Sequence, residues 1–168
     1  MDKLNETLKS RAVDLGLCEQ WQKEWNEDWD YDKLISKFYV GIDFCLSNKY
    51  PTNDFIKNNF PIDILRRKSV LVDEKRSVLN APDVAVFGSS EVVARYNARN
   101  CGRIYIKDVA SLKITAHNNA FVIVHILDNA KVYAEAYEKA DLIIIKHSTD
   151  CAITANDSVR VVEEYNLY

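Results

Sequence analysis

SLKITAHNNA, FVIVHILDNA and KVYAEAYEKA are three consecutive ten-residue blocks that together span Ser111–Ala140. In each block the second, fourth and sixth positions are apolar, and the tenth is alanine. Alternation with a period of two is typical of a strand with one buried face. The polar residues at positions eight and nine, such as Asn118 and Asp128, are typical of tight corners. Each block therefore predicts one strand followed by one corner.

The same ten-residue rhythm extends without insertion or deletion from Ala81 to Arg160. A unit of this size cannot bury its apolar face alone, so equal units must stack, and a short fixed period is the sequence signature of a solenoid. The predicted core columns are Val92, Leu112, Val122, Val132 and Leu142 at the second position, and Val84, Ile104, Ile114, Val124 and Ile144 at the fourth. We therefore expect a single-stranded β-solenoid (β-helix) of ten-residue repeats.

The sixth position indicates how many blocks form one coil, because its size alternates along the array. It is large at Ile106 and Ile126 and small at Ala116 and Ala136. Two blocks per coil would place the large side chains on one wall and the small ones opposite, which fills a thin core evenly. Three blocks per coil is the alternative, and the alternation argues against it.

With two blocks per coil, alternate blocks share an outer wall, and the two walls differ in polarity. The more apolar wall provides a candidate interaction surface that consists of Tyr105, Phe121, Ile123, His125, Ile143 and Ile145. The opposite wall carries Val93, Arg95, Lys113, Thr115, Lys131, Tyr133 and Glu135. Because a contiguous apolar patch usually marks a contact surface, we expect the first wall to be covered by the N-terminal helices or by a second copy of the chain.

The region before the array predicts helices, so the fold class is α+β, with a helical head at residues 1–68 and the solenoid at 69–168. Helices are expected over residues 3–14, 18–25 and 32–47, with a short one after Thr52 and a further turn over 62–67. Gly16 is the predicted stop of the first helix. Asp30 and Asp32 are interpreted as N-terminal caps of the third, because carboxylates stabilise free helix amides.

Three tryptophans, Trp21, Trp25 and Trp29, follow one another at a spacing of four. This spacing places them near one helical face. Such a row is either a platform for a sugar or peptide ligand or part of a core. The core interpretation is preferred, because large aromatic residues dominate the buried area of small domains.

Composition restricts the class of protein. The 168 residues carry a net charge of −3, which is not the strongly basic balance of a nucleic-acid-binding protein. No apolar run is long enough for a membrane helix, and the first residues lack an apolar signal region. The four cysteines, Cys18, Cys45, Cys101 and Cys151, are widely spaced, so free thiols in the cytoplasm are expected.

No sequence motif predicts catalysis, a cofactor or a metal site. His117, His125 and His147 are expected to be isolated, because they fall on different sides or columns of the array. The Gly88-Ser89-Ser90 corner resembles a nucleophile turn, but it lacks the G-x-S-x-G context and is interpreted as a tight turn. A non-enzymatic protein is therefore expected.

The chain also resembles a group of small decapeptide-repeat β-solenoid proteins with a helical N-terminal head, found in gut anaerobes and in their phages and mobile elements. The resemblance rests on Leu15-Gly16-Leu17-Cys18 with Trp21, Gly41-Ile42-Asp43-Phe44-Cys45, Phe55-Ile56, Phe60, Val70-Leu71-Val72-Asp73-Glu74 and the Asn-Ala-x-Val blocks. It implies a helical head on a short solenoid, and it supplies no activity or catalytic residue to carry over.

Three functions follow from these observations. The first is a structural or protein-interaction module that displays the apolar wall and forms a homodimer through it, without nucleic acid or membrane. The second is a phage or mobile-element accessory protein that binds and modulates a host protein. The third is a carbohydrate- or peptide-binding module that uses the tryptophan row.

Overall fold

The structure is a computed structural model that describes residues 2–165. Within this range the chain forms helices in its first part and strands in its second. The helices are α1 (Asp2–Asp14), α2 (Glu19–Glu24), α3 (Tyr31–Val40), α4 (Ile42–Ser47), α5 (Asn53–Asn59) and α6 (Ile62–Arg67). The strands are β1 (Val70–Val72), β2 (Lys75–Leu79), β3 (Asp83–Phe87), β4 (Glu91–Tyr96), β5 (Cys101–Ile106), β6 (Ser111–Ala116), β7 (Phe121–Ile126), β8 (Lys131–Ala136), β9 (Asp141–Lys146), β10 (Ala152–Ala155) and β11 (Val159–Glu163). The α+β fold class is confirmed.

The helix boundaries follow from local capping. Gly16 adopts φ +90° just beyond α1, as expected of a helix stop. The Asp30 carboxylate accepts a hydrogen bond from the Lys33 amide at 2.8 Å and so caps α3. The Thr52 hydroxyl oxygen accepts from the Phe55 amide at 3.2 Å and caps α5. These three predicted signals are confirmed.

The prediction of one continuous helix over residues 32–47 is wrong. The chain instead forms α3 and α4, which are separated at Gly41, where φ is −100° and ψ is 26°. A Cβ at this position would lie 3.3 Å from the ring of Trp21, so the close approach of that ring favours glycine. The break coincides with a glycine, which is unfavourable in a helix interior.

The described residues divide into two compact units, one up to Leu65 and one from Arg66 onward. In the helical unit, Leu8, Leu34 and Tyr50 are buried together. The side chains that pack around this cluster are Leu4, Trp25, Trp29, Phe55 and Phe60. The helical unit therefore has an apolar core of its own.

In the second unit the strands alternate between two parallel sheets, with orders β1-β3-β5-β7-β9-β11 and β10-β8-β6-β4-β2. From β3 to β9, paired residues lie twenty positions apart, as in Val92 with Leu112 and Gly102 with Val122. The pairs of β10 and β11 lie 21 and 17 positions apart, so the prediction of an unbroken rhythm up to Arg160 is wrong after β9. Twenty positions equal two blocks, so the chain completes one coil every two blocks. The predicted β-solenoid and its two-block coil are confirmed, and three blocks per coil would have required pairs thirty positions apart.

The core of the solenoid is formed by the predicted columns. The fourth-position residues Val84, Ile104, Ile114, Val124 and Ile144 are all 0 % exposed. The second-position residues Val92, Leu112, Val122, Val132 and Leu142 are all buried as well. Because strand side chains alternate between faces, the odd positions of each block form the two outer walls.

Tyr96 and Gly102 form an exception in this regular core. Tyr96 occupies the place taken by Ala116 in the next coil, and Gly102 occupies the place taken by Val122. Tyr96 is fully buried, and its hydroxyl donates a hydrogen bond to the carbonyl of Ala81 at 2.7 Å. A Cβ at Gly102 would lie 2.6 Å from Cζ of Tyr96. The large ring therefore fills the space that a side chain at position 102 would need.

The corners that follow β4 to β8 use left-handed backbone at the eighth position of their blocks. The residues with positive φ there are Ala98 (55°), Asp108 (63°), Asn118 (60°), Asp128 (53°) and Glu138 (61°). The carboxylates of Asp128 and Glu138 also link successive coils. The side chain of Asp128 accepts a hydrogen bond from the Asp108 amide at 3.1 Å, and that of Glu138 accepts from the Asn118 amide at 2.7 Å. The predicted corner chemistry is confirmed.

Ala98 is unfavourable in this column, because a left-handed alanine places its Cβ close to the following carbonyl oxygen. Asparagine tolerates this conformation better. We expect Ala98→Asn to raise the free energy of unfolding by roughly 0.5–1 kcal/mol, as measured by urea denaturation. The reverse change in the same column, Asn118→Ala, should lower it by a similar amount. Unchanged stability in both variants would contradict a strained corner.

Candidate interaction surface

The apolar wall (Tyr105, Phe121, Ile123, His125, Ile143 and Ile145) lies on the outward face of β5, β7 and β9. Ile123 pairs in register with Ile143, and His125 pairs with Tyr105 on one side and with Ile145 on the other. Parallel strands about 4.8 Å apart hold these side chains in three adjacent ladders, one with Phe121, one with Ile123 and Ile143, and one with Tyr105, His125 and Ile145. The structure therefore brings the six predicted residues onto one sheet face.

Exposure is uneven across the apolar wall. Tyr105 is buried at 4 % exposure, whereas Phe121 is exposed at 38 %. Ile123, Ile143 and Ile145 are half-buried. The accessible part of the wall therefore lies on β7 and β9, and Tyr105 does not present its side chain to solvent.

Ion pairs border the accessible part of the wall. Arg103 lies 2.9 Å from the Asp83 carboxylate on β3, and Arg160 of β11 lies 3.9 Å from Asp141 of β9. Both arginines are more than half exposed, so each pair contributes little to stability. Their position gives the wall an apolar centre with a charged border, as in many protein interfaces.

A stack of aromatic rings runs along one ladder of the wall. The ring centroids of Tyr105 and His125 are 4.8 Å apart, and those of His125 and His147 are 5.3 Å apart with nearly parallel planes. His147 donates from Nδ1 to the backbone carbonyl of Glu164 at 2.8 Å. In the neutral tautomer that this bond defines, Nε2 accepts, and His125 donates to it from Nδ1 at 3.0 Å.

The expectation that the histidines are isolated is wrong for His125 and His147. His147 follows β9 and continues its period-two alternation, so its side chain returns to the face that holds Ile145 and His125. The signal was present in the sequence, because positions 145 and 147 differ by two. His117 stacks on Tyr137 with centroids 4.9 Å apart. Among residues 2–165, no three histidine, cysteine or acidic side chains are placed to hold a metal ion together.

The tryptophan row is only partly helical. Trp21 lies in α2, but that helix ends at Glu24, so Trp25 and Trp29 lie on the segment that follows. All three rings are half-buried, and Trp25 and Trp29 pack with centroids 5.2 Å apart. The ammonium group of Lys37 lies over the rings of Trp21 and Trp29, at 4.9 and 5.2 Å from their centroids.

Asn5 further restrains this segment. It is 1 % exposed, and its Oδ1 accepts a hydrogen bond from Trp25 Nε1 at 2.6 Å. Its Nδ2 donates to the carbonyls of Asn26 and Glu27 at 3.0 and 2.7 Å. The three rings thus pack against protein groups of the helical unit.

The serine corner is closed by its own hydrogen bonds. Ser90 is fully buried, and its hydroxyl lies 2.7 Å from the Phe87 carbonyl oxygen, which accepts. The same hydroxyl oxygen accepts from the Glu74 amide at 3.0 Å. Gly88 adopts φ +67°, and an added Cβ would clash with the carboxylate of Asp73. The predicted tight turn is confirmed.

The four cysteines are free thiols. Cys18 and Cys101 are exposed, whereas Cys151 is buried. Desolvation, assisted by the Asp43 carboxylate, raises the pKa of Cys45 to about 12. A thiol that stays protonated at neutral pH is a poor nucleophile.

In residues 2–165, no helix is both long enough and apolar enough to cross a membrane. The resemblance described above implied a helical region followed by a β-solenoid, and the structure has that order of elements. No protein-family model, curated protein or solved structure matches the chain.

Proposed function

We propose that this chain is a non-enzymatic interaction module of the cytoplasm that associates with a second copy of itself through the apolar wall. The observation that carries the proposal is the register of Ile123 with Ile143 and of His125 with Ile145 on an accessible sheet face. Free thiols support a reducing compartment.

The solenoid favours binding because its ladders are rigid before contact. Each outward side chain is flanked by side chains at the same column of the neighbouring coils, and the backbone beneath is fully paired within the sheet. A preorganised surface loses little conformational entropy on binding. An apolar surface is also complementary to itself, so two copies related by a two-fold axis can bury the same residues.

The size of the wall limits the expected affinity. Three strands about 4.8 Å apart and six residues long, at about 3.3 Å per residue, cover roughly 300 Å² of flat area. Stable interfaces usually bury about 800 Å² on each partner. We therefore propose a weak dimer with a dissociation constant on the order of micromolar.

We expect Ile143→Lys to abolish this association, because it places an ammonium group within the accessible part of the wall. Sedimentation equilibrium at protein concentrations from about 1 to 300 µM measures the fraction of dimer, and this concentration range brackets the micromolar affinity expected for a small interface. The matched control is Val109→Lys, which changes a residue that is 64 % exposed at a corner outside the wall. A wild-type protein that stays monomeric throughout, or two variants that associate alike, would contradict the proposal.

A further inference from the structure

A shallow groove of about 670 Å³ crosses the opposite wall of the solenoid, on the outward face of β2, β4, β6, β8 and β10. Small side chains, among them Ser77, Val93 and Ser111, line part of it. The longer side chains that line it are Lys75, Arg76, Glu91, Lys113, Lys131 and Tyr133. We call this feature the basic groove.

The basic groove concentrates positive charge. Its lining contains four cations and one carboxylate, a formal balance of +4 − 1 = +3, in a chain whose net charge is −3. Glu91 is paired with Lys75 at 2.8 Å. Within the described range, no carboxylate forms an ion pair with Arg76, Lys113 or Lys131. The groove therefore presents uncompensated cations to solvent.

The spacing of these cations matches an extended peptide. Lys75 lies on β2 and Lys131 on β8, three strand steps apart, which corresponds to about 14 Å. In an extended chain, side chains four residues apart lie about 13 Å apart on the same face. Lys113 lies on β6, between these two strands in the sheet. Its ammonium group rests 5.4 Å from the centroid of the Tyr133 ring, which is 43 % exposed.

A short peptide fits this groove better than a nucleic acid. A nucleic acid extends far beyond five strands, and its dense charge would meet the net negative charge of the whole chain. Tyr133 is the aromatic residue in the lining, and one ring does not form a platform for successive stacked bases.

We propose that the basic groove binds an acidic peptide segment in extended conformation, with carboxylates at alternate positions. The carboxylate at one end competes with Glu91 for Lys75 on β2, and the carboxylate four residues further contacts Lys131. The middle carboxylate contacts Lys113, and the aliphatic parts of the peptide cover the small residues beneath.

The test uses the full chain and a fluorescein-labelled peptide, Glu-Ser-Glu-Ser-Glu, followed by fluorescence anisotropy at low and physiological salt. The neutral probe Gln-Ser-Gln-Ser-Gln and a five-nucleotide single-stranded DNA are compared with it. We expect saturable binding of the acidic peptide that weakens with salt, and binding of the other two probes at least tenfold weaker.

The groove variant is Lys113→Glu/Lys131→Glu, for which we expect at least a tenfold loss of affinity. Its control, Arg99→Glu/Lys139→Glu, changes two exposed corner cations outside the groove and alters the net charge by the same amount. The control should stay within about twofold of wild type, and circular dichroism should show that both variants fold. Equal losses in the two variants, no saturable peptide binding, or tighter binding of the DNA would each overturn the proposal.

Discussion

Gly102→Val is expected to destabilise the solenoid by about 3 kcal/mol or more, because overpacking a filled core forces the surrounding side chains from their rotamers. The Cβ alone would lie 2.6 Å from Cζ of Tyr96 and 2.7 Å from its hydroxyl oxygen. The ring cannot move away easily, since it is fully buried and hydrogen-bonded to Ala81. The free energy of unfolding from urea denaturation measures the effect.

A second substitution tests whether the loss of stability comes from the clash with Tyr96 or from any change at position 102. Tyr96→Ala alone should also destabilise, by about 3–5 kcal/mol, because it leaves a cavity. The double variant Tyr96→Ala/Gly102→Val restores the pair that the next coil already contains, Ala116 with Val122. We expect it to be more stable than either single variant, with a coupling above about 2 kcal/mol. Additive losses would show that the two positions do not share one space.

Ile114→Asp is expected to unfold the solenoid or to cost several kcal/mol, because Ile114 is 0 % exposed and the new carboxylate would have no partner in an apolar core. Its neighbour Thr115 lies on the same strand but faces outward and is half-buried. Thr115→Asp should therefore change stability by less than about 1 kcal/mol. Thermal melts followed by circular dichroism compare the two variants.

The two substitutions introduce the same side chain at adjacent positions, so they share any effect of strand propensity and net charge. They differ mainly in the direction and burial of the side chain that is replaced. Equal losses at Ile114 and Thr115 would contradict the alternation of inward and outward positions on β6. They would also remove the basis for the apolar wall and the basic groove, which both depend on that alternation.

Much of the solenoid could be predicted from the sequence because its contacts repeat. An inward residue such as Val124 meets equivalent residues of the neighbouring coils, so one short period specifies strand, corner and register together. The outward ladders followed from the same period. The corners were predictable too, since Asp108 and Asn118 are among the residues that tolerate left-handed backbone.

What could not be predicted depends on contacts that do not repeat. The close approach of the Trp21 ring to Gly41, twenty residues later in the chain, is one such contact. The fit of Tyr96 to Gly102 is confined to one coil, and the block pattern treats both positions as ordinary. The groove arises from differences in side-chain length across five strands. A period-two pattern predicts which residues face outward, but it does not predict where short side chains leave a depression.

The twenty-residue register has a consequence for how such a chain can lengthen. A tandem duplication of twenty residues within the array adds one whole coil and leaves every downstream strand in its original sheet. A duplication of ten residues shifts all later strands into the other sheet. The blocks that carry outward lysines would then join the sheet whose outer face carries the isoleucines. Gene duplications in this array should therefore survive in even numbers of blocks, because odd numbers would join surfaces of opposite character.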